Sequence, residues 1–254
     1  MQNQTDDWRF RGCFILFLSI SMLMNACQSS APLDENLFTQ HRFTQQGYIL
    51  PYRLLMPENY KPSSAQKYPL VLFLHGADER GHNNTAHLSR IKGLFLNPYN
   101  HHSYPCFVLA PQCPMASNWR TAPTHALLLG LLQEISENYP IDPNRLYITG
   151  LSMGGFGTWD MIASYPQRFA AAIPICGGGQ ISLAANLKNM PIWAFHGAQD
   201  DVVGVSYTRE MIQAIRQAGG KPRYTEYADV KHDSWVNAYQ EPELLEWLFS
   251  QKRN

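Results

Sequence analysis

The chain has 254 residues, 45% of them hydrophobic and 12% aromatic, which is enough for one sizeable core and short for two. Twenty basic and twenty acidic residues cancel and only 16% of the chain is charged, so no net field favours nucleic acid or an anionic membrane surface as a partner. Specificity has to be built locally.

The first element in chain order is a leader. Arg9 and Arg11 precede CFILFLSISMLM, an apolar run short for a bilayer span and sized for the core of a signal peptide. Residues 1–26 are therefore expected to direct export, residues 27–42 to form a polar tether, and residues 43–254 to fold as one domain. Met24-Asn25-Ala26-Cys27 resembles the lipobox of bacterial lipoproteins, with Met24 where leucine is usual. That resemblance implies that Cys27 is lipidated and becomes the mature N-terminus, and Gln28 after it implies sorting to the outer membrane. An ordinary cleaved leader or an uncleaved anchor are the alternatives. Membrane contact is expected through this N-terminal lipid anchor only.

GYILPYRLLMP alternates as a strand does, and Pro51 confines it to an edge or a bulge. YPLVLFLHG is apolar on consecutive residues, as suits a strand buried on both faces. The same kind of run recurs as CFVLAPQ, RLYITG, FAAAIPIC and PIWAFHG. Helical patterns lie among them: THALLLGLLQEISENY, GGFGTWDMIASYP and SYTREMIQAIRQAGG, where Gly219 is placed to end the last. A further strand, PRYTEYAD, and one closing helix, SWVNAYQEPELLEWLFSQ, complete the order. This alternation predicts an α/β fold, a doubly wound and mostly parallel sheet flanked by helices on both faces. Residues 78–104, polar and then mixed, fit loop, short helix or both.

With Cys13 and Cys27 in the export segment, the folded part holds Cys106, Cys113 and Cys176, an odd number that cannot all pair internally. Cys106 and Cys113 flank one short run whose ends would lie about 20 Å apart as a strand, beyond disulfide reach. Cys113 with Cys176 is the one bridge left to consider, and buried free thiols are the alternative.

Gly150-Leu151-Ser152-Met153-Gly154 fits Gly-x-Ser-x-Gly where a buried strand hands over to a helix. A serine at such a turn is pushed into strained backbone geometry with its hydroxyl exposed, and the flanking glycines remove side chains that would collide. The helix behind it aims its first amides at any oxyanion formed there. A hydroxyl is a poor nucleophile until a base takes its proton, so a histidine and an orienting carboxylate are required. FHGAQDDVV supplies Asp200 and Asp201 just past a strand, and VKHDSW supplies His232 just past the next. Ends of parallel strands on one sheet edge are where a doubly wound fold builds its site.

Taken together, LHGADERG, APQCP, GLSMGG, CGGG, HGAQDDVV and KHDSW resemble the α/β-hydrolase superfamily from about residue 48 to residue 249. The likeness is to its esterase branch, similar to feruloyl and acetylxylan esterases, polyhydroxybutyrate depolymerases and prolyl oligopeptidase catalytic domains. The resemblance implies Ser152 as nucleophile, Asp200 as acid, four residues after His196, and His232 as base, with Asp201 the fallback acid. It implies oxyanion donors in the amides of Met153 and Ala77. Asp78 stands where relatives commonly carry glycine, and is expected to face solvent or pair with Arg80.

Other readings stand beside these. His75 and His196 are expected to bond to backbone at their strand ends, and His82, His87, His101 and His102 to be surface loop residues, since their spacing matches no structural zinc pattern. Trp119 and Trp235 follow strand ends that face the site, as core or as a flat wall for an aromatic acyl group or a sugar ring, whereas Trp159 reads as core. The expected function is hydrolysis of small or polysaccharide-linked carboxylic esters through an acyl-enzyme, with no cofactor, no metal and no nucleic-acid partner. A prolyl oligopeptidase-like peptidase and a non-catalytic binding protein on the same scaffold are the alternatives.

Overall fold

The computed structural model describes residues 34–253. The leader, residues 1–26, and Cys27 lie outside the described residues. A 3₁₀ turn, Glu35–Leu37, leads into β1, Phe38–Gln45. The expected tether is therefore corrected: its last five residues already belong to a strand. β1 buries Phe38 in the core on one face of the sheet and Phe43 in the core on the other, among polar residues that are exposed or half-buried, so its sequence reads as unpatterned.

Eight strands form one sheet in the order β1-β2-β4-β3-β5-β6-β7-β8. β1 and β2, Tyr48–Leu55, are antiparallel to their neighbours, and β3, Tyr68–Leu74, β4, Phe107–Pro111, and β5, Ile141–Leu151, begin the parallel part. β6, Ala171–Ile175, β7, Trp193–Gly197, and β8, Arg223–Tyr227, extend it. β2 is not the edge that Pro51 suggested, because β1 covers it. Pro51 is tolerated because it lies one residue before the ladder to β4, which starts at Tyr52, and only its carbonyl is engaged, by the Gln112 amide at 2.7 Å.

β3 shows why the central runs carry no polar alternation. Leu70, Leu72 and Leu74 pack into the core on one face of the sheet, while Val71 and Phe73 pack into the core on the other. The first face is covered by the helices Ala122–Asn138, Met153–Ser164 and Ser206–Gln217. The second is covered by short turns between residues 86 and 103 and by two C-terminal helices, Trp235–Ala238 and Leu244–Ser250. The expected single closing helix is thus broken, at the segment holding Pro242, which cannot continue a helix from the residues before it. Residues 78–104 resolve into 3₁₀ turns and two short helices, Lys92–Phe95 and Pro98–Ser103. Gly219, at φ +89°, ends the Ser206–Gln217 helix as its sequence indicates.

One seam interrupts the parallel part. β5 pairs β6 over five positions and β7 pairs β8 over five, but β6 meets β7 only at Ile175↔Phe195 and at an isolated bridge, Ala172↔Ile192. The amides of Ala172 and Cys176 donate across it at 3.0 and 2.9 Å, and the rung between them falls on Pro174, which has no N–H.

Candidate active site

Ser152 follows the end of β5, Asp200 follows β7 and His232 follows β8, all at the C-terminal edge of the sheet. Ser152 sits at φ 53° and ψ −117°, a conformation that non-glycine residues hold only when their surroundings impose it. Here the surroundings are backbone. A β-carbon on Gly154 would lie 1.8 Å from the Leu74 carbonyl oxygen, and one on Gly155 2.1 Å from that of Ile175. The glycines let the helix that starts at Met153 press against the ends of β3 and β6, and the serine is lifted out at the bend.

Ser152 Oγ lies 3.0 Å from His232 Nε2, and His232 Nδ1 lies 2.8 Å from Asp200 Oδ2. Asp200 Oδ1 accepts the amides of Val202 and Val203 at 2.9 and 2.8 Å. Burial pushes the Asp200 carboxyl upward, but the hydrogen bonds from His232 and from the two amides outweigh it and hold the group below its ordinary value. Asp200 is therefore a fixed, ionised acceptor. Asp201 is exposed and turned to Lys231, 3.3 Å away, so the fallback acid is not in place.

The loop after β3 closes against the serine: a β-carbon on Gly76 would come 3.8 Å from that of Ser152. Ala77 opens the next 3₁₀ turn, and its carbonyl is gripped by Arg80 Nε at 2.9 Å. Met153 begins its helix, where the first amides have no intrahelical acceptor. Asp78 is exposed, and Arg80 bonds to the carbonyls of Ala77, Met115 and Ser117 rather than to it. The buried acid of this loop is Glu79, whose Oε1 takes Arg90 Nε at 3.0 Å.

The two tryptophans separate. Trp119 is fully buried, and its indole N–H donates to the His75 carbonyl at 2.9 Å, so it supports the loop after β3 and is not a substrate wall. Trp235 stands edge-on to the His232 ring, centroids 5.4 Å apart, under the Arg90 guanidinium. It lines a groove of about 270 Å³ with Arg90, Gly93, Leu94, Val236 and Tyr239. A second aromatic pair escaped the sequence reading: Phe156, one turn after Ser152, and Tyr207, with ring centroids 5.7 Å apart. Only Phe156's helical spacing from the serine could have flagged it.

His75 bonds to backbone as expected, Nδ1 to the Gly76 carbonyl and Nε2 to the Cys113 amide, and burial lowers it to about 4. His87 is not a surface residue. It is buried with Nε2 2.9 Å from the Ala110 carbonyl, and burial lowers it to about 3. His82 and His102 are exposed. Trp159 is core.

Cys106, Cys113 and Cys176 are all free and buried, so the Cys113–Cys176 bridge is not formed. Cys176 sits at φ 40° and its sulfur accepts the Ser152 amide at 3.2 Å. Burial pushes the Cys113 and Cys176 thiols up to about 12 and that of Cys106 still higher. Iodoacetamide at pH 8 is expected to leave these three unmodified in the folded protein and to modify all three in denaturant, as read by peptide mass spectrometry. Among the described residues, the atoms close enough to share a metal ion belong to Cys176, Asp200 and His232, within 4.8 Å of one another. The carboxylate and His232 Nδ1 already satisfy each other there, which is hydrogen-bonding rather than ligating geometry.

A parallel sheet wound by helices on both faces, with a strained serine turn at the end of β5, is the α/β-hydrolase fold in its esterase branch. Residues 50–236 match the family described as "Putative esterase", and the chain belongs to that family. Over 86% of its length it superposes on a thermostable esterase with a TM-score of 0.79 and 40% identity, covering 64% of that chain. It is 50% identical over 48 residues to poly(3-hydroxyalkanoate) depolymerase C of Paucimonas lemoignei, 19% of this chain and 12% of that one. It is 24% identical over 177 residues to the bifunctional acetylxylan esterase/xylanase XynS20E of Neocallimastix patriciarum, 68% of this chain and 24% of that one. In each case it spans less than two thirds of the relative's length.

Proposed function

We propose that the chain hydrolyses carboxylic esters, and does so as a serine hydrolase. His232 takes the proton of Ser152, whose oxygen attacks the ester carbonyl, while Asp200 holds His232 in the tautomer that leaves Nε2 free to accept. The amides of Met153 and Ala77 hold the tetrahedral oxyanion. Collapse returns the proton from His232 to the departing alcohol, and water then attacks the acyl-enzyme by the same route. No step calls for a cofactor. The observation that carries this reading is the unbroken chain from Ser152 Oγ through His232 to an Asp200 already fixed by two amides.

The substrate is read as an ester group on a polysaccharide or a similar small ester. The acetylxylan esterase relative supports that class, and Trp235 and the Phe156–Tyr207 pair offer flat apolar faces beside the serine. The leader and the lipobox-like stretch ending in Cys27 support export and tethering through a lipid.

The test is turnover of p-nitrophenyl acetate and butyrate, methyl ferulate and a prolyl amide, beside labelling with a fluorophosphonate probe. Labelling with ester turnover is expected, and the preferred acyl group then ranks the pocket. Faster turnover of the amide would make the protein a peptidase, and no labelling with no turnover would leave a binding protein on a hydrolase scaffold.

A further inference from the structure

His196, at the end of β7 and four residues before Asp200, is fully buried. Its Nε2 lies 3.1 Å from Asp200 Oδ2, the same oxygen that faces His232 Nδ1, and 2.9 Å from the Val203 carbonyl. A carbonyl and an ionised carboxylate only accept, so Nε2 carries a proton. On the other side Nδ1 lies 2.8 Å from Thr208 Oγ1, which is 2.6 Å from the Gly177 carbonyl. Thr208 Oγ1 donates to the Gly177 carbonyl and stands against the other edge of the ring.

We propose that His196 is a positioning residue of the hydrolytic site: its Nε2 clamps Asp200 Oδ2, the oxygen that His232 Nδ1 also uses, while Thr208, bonded to the Gly177 carbonyl, holds the other edge of the ring. The proposal rests on the serine-hydrolase reading of Ser152, His232 and Asp200. Its physical content is a division of one acceptor between two donors. Asp200 Oδ2 that already accepts from His196 Nε2 is fixed in place for His232 Nδ1 and shares its lone pairs between the two rings. Burial holds the His196 imidazole below its ordinary value, although the Val203 carbonyl and the Asp200 carboxylate draw it up. The other charged groups facing it are His232 and, across the β7–β8 ladder, Glu226, which Arg209 and the Tyr224 hydroxyl hold.

The experiment is kcat and KM against pH on p-nitrophenyl acetate for the wild type, His196→Leu, His196→Gln and Thr208→Val. His196→Leu removes the donor, so the acid limb is expected to move up in pH by about half a unit or more. Its kcat should fall on the order of tenfold, well short of the ~10⁴-fold that disabling a triad aspartate brings, with KM unchanged. Glutamine can still donate from Nε2, so it should restore most of kcat and return the limb toward the wild type. Thr208→Val should shift the limb in the same direction by a smaller amount, and it carries the test if His196→Leu fails to fold. Unmoved acid limbs in these variants, with leucine and glutamine equally impaired, would mean that His196 only packs. A labelled, active wild type with unmoved limbs overturns this proposal alone, whereas an unlabelled, inactive wild type overturns the hydrolase reading beneath it.

Discussion

Ser152→Ala is expected to lower ester turnover by about 10⁴- to 10⁶-fold while leaving the thermal midpoint close to that of the wild type. The loss is large because no other group in the site can form the acyl-enzyme: His232 Nε2 has Ser152 Oγ as its partner, and the Cys176 thiol beneath is buried and pushed up to about 12. The structural effect is small for equally local reasons. Ser152 keeps its place through its backbone, whose amide meets the Ile175 carbonyl at 3.0 Å, and alanine tolerates φ 53° no worse than serine does. The partly exposed His232 can turn its free nitrogen to water. Stopped assays with the purified variant, alongside a melting curve, decide the matter. Turnover within tenfold of the wild type would remove Ser152 from the mechanism.

Gly154→Ala is expected to do the opposite kind of damage. Its β-carbon would meet the carbonyl oxygen of Leu74 at 1.8 Å and that of His75 at 2.8 Å, both backbone atoms at the end of a central strand. Neither can step aside as a flexible side-chain tip would, so the helix at Met153 or the loop at Gly76 has to move. A cost of roughly 3 kcal/mol or more follows, in the upper range for a single substitution. Activity should fall further than the folded fraction does, because the displaced pieces carry the amides proposed to hold the oxyanion. Gly93→Ala is the control: nothing lies within 4 Å of a β-carbon there, and helix propensity gives alanine up to about 1 kcal/mol over glycine. Denaturant melts of the two variants should therefore separate by several kcal/mol.

The parts of this molecule that were legible in its sequence are those where one physical requirement dominates. β3, β4, β6, β7 and the buried half of β5 read as strands because burial on both faces favours apolar residues, and the serine turn reads because close backbone approach admits only glycine at Gly150, Gly154 and Gly155. The roles of serine, aspartate and histidine were implied by the family resemblance, and strand ends on one sheet edge place the three residues together. β1 was illegible because its outward residues are polar and its two buried phenylalanines lie five apart, which matches no helix or strand template over so short a run. Trp119 was ambiguous because a residue after a strand end may face the site or the loop beneath it, and the deciding contact, with the His75 carbonyl, lies 44 positions away. His87 and the partners of His196 were hidden for the same reason. Cys113 and Cys176 sit at strand ends on one edge, but adjacency in topology does not bring two sulfurs within bonding distance.

The missing rung at Pro174 also divides the chemistry. Ser152 belongs to the side of the sheet that runs from β1 to β6, while Asp200 and His232 belong to the two strands beyond the seam. The serine and the histidine proposed as its base thus meet across the seam, and their 3.0 Å contact depends on how the ends of β6 and β7 are held together.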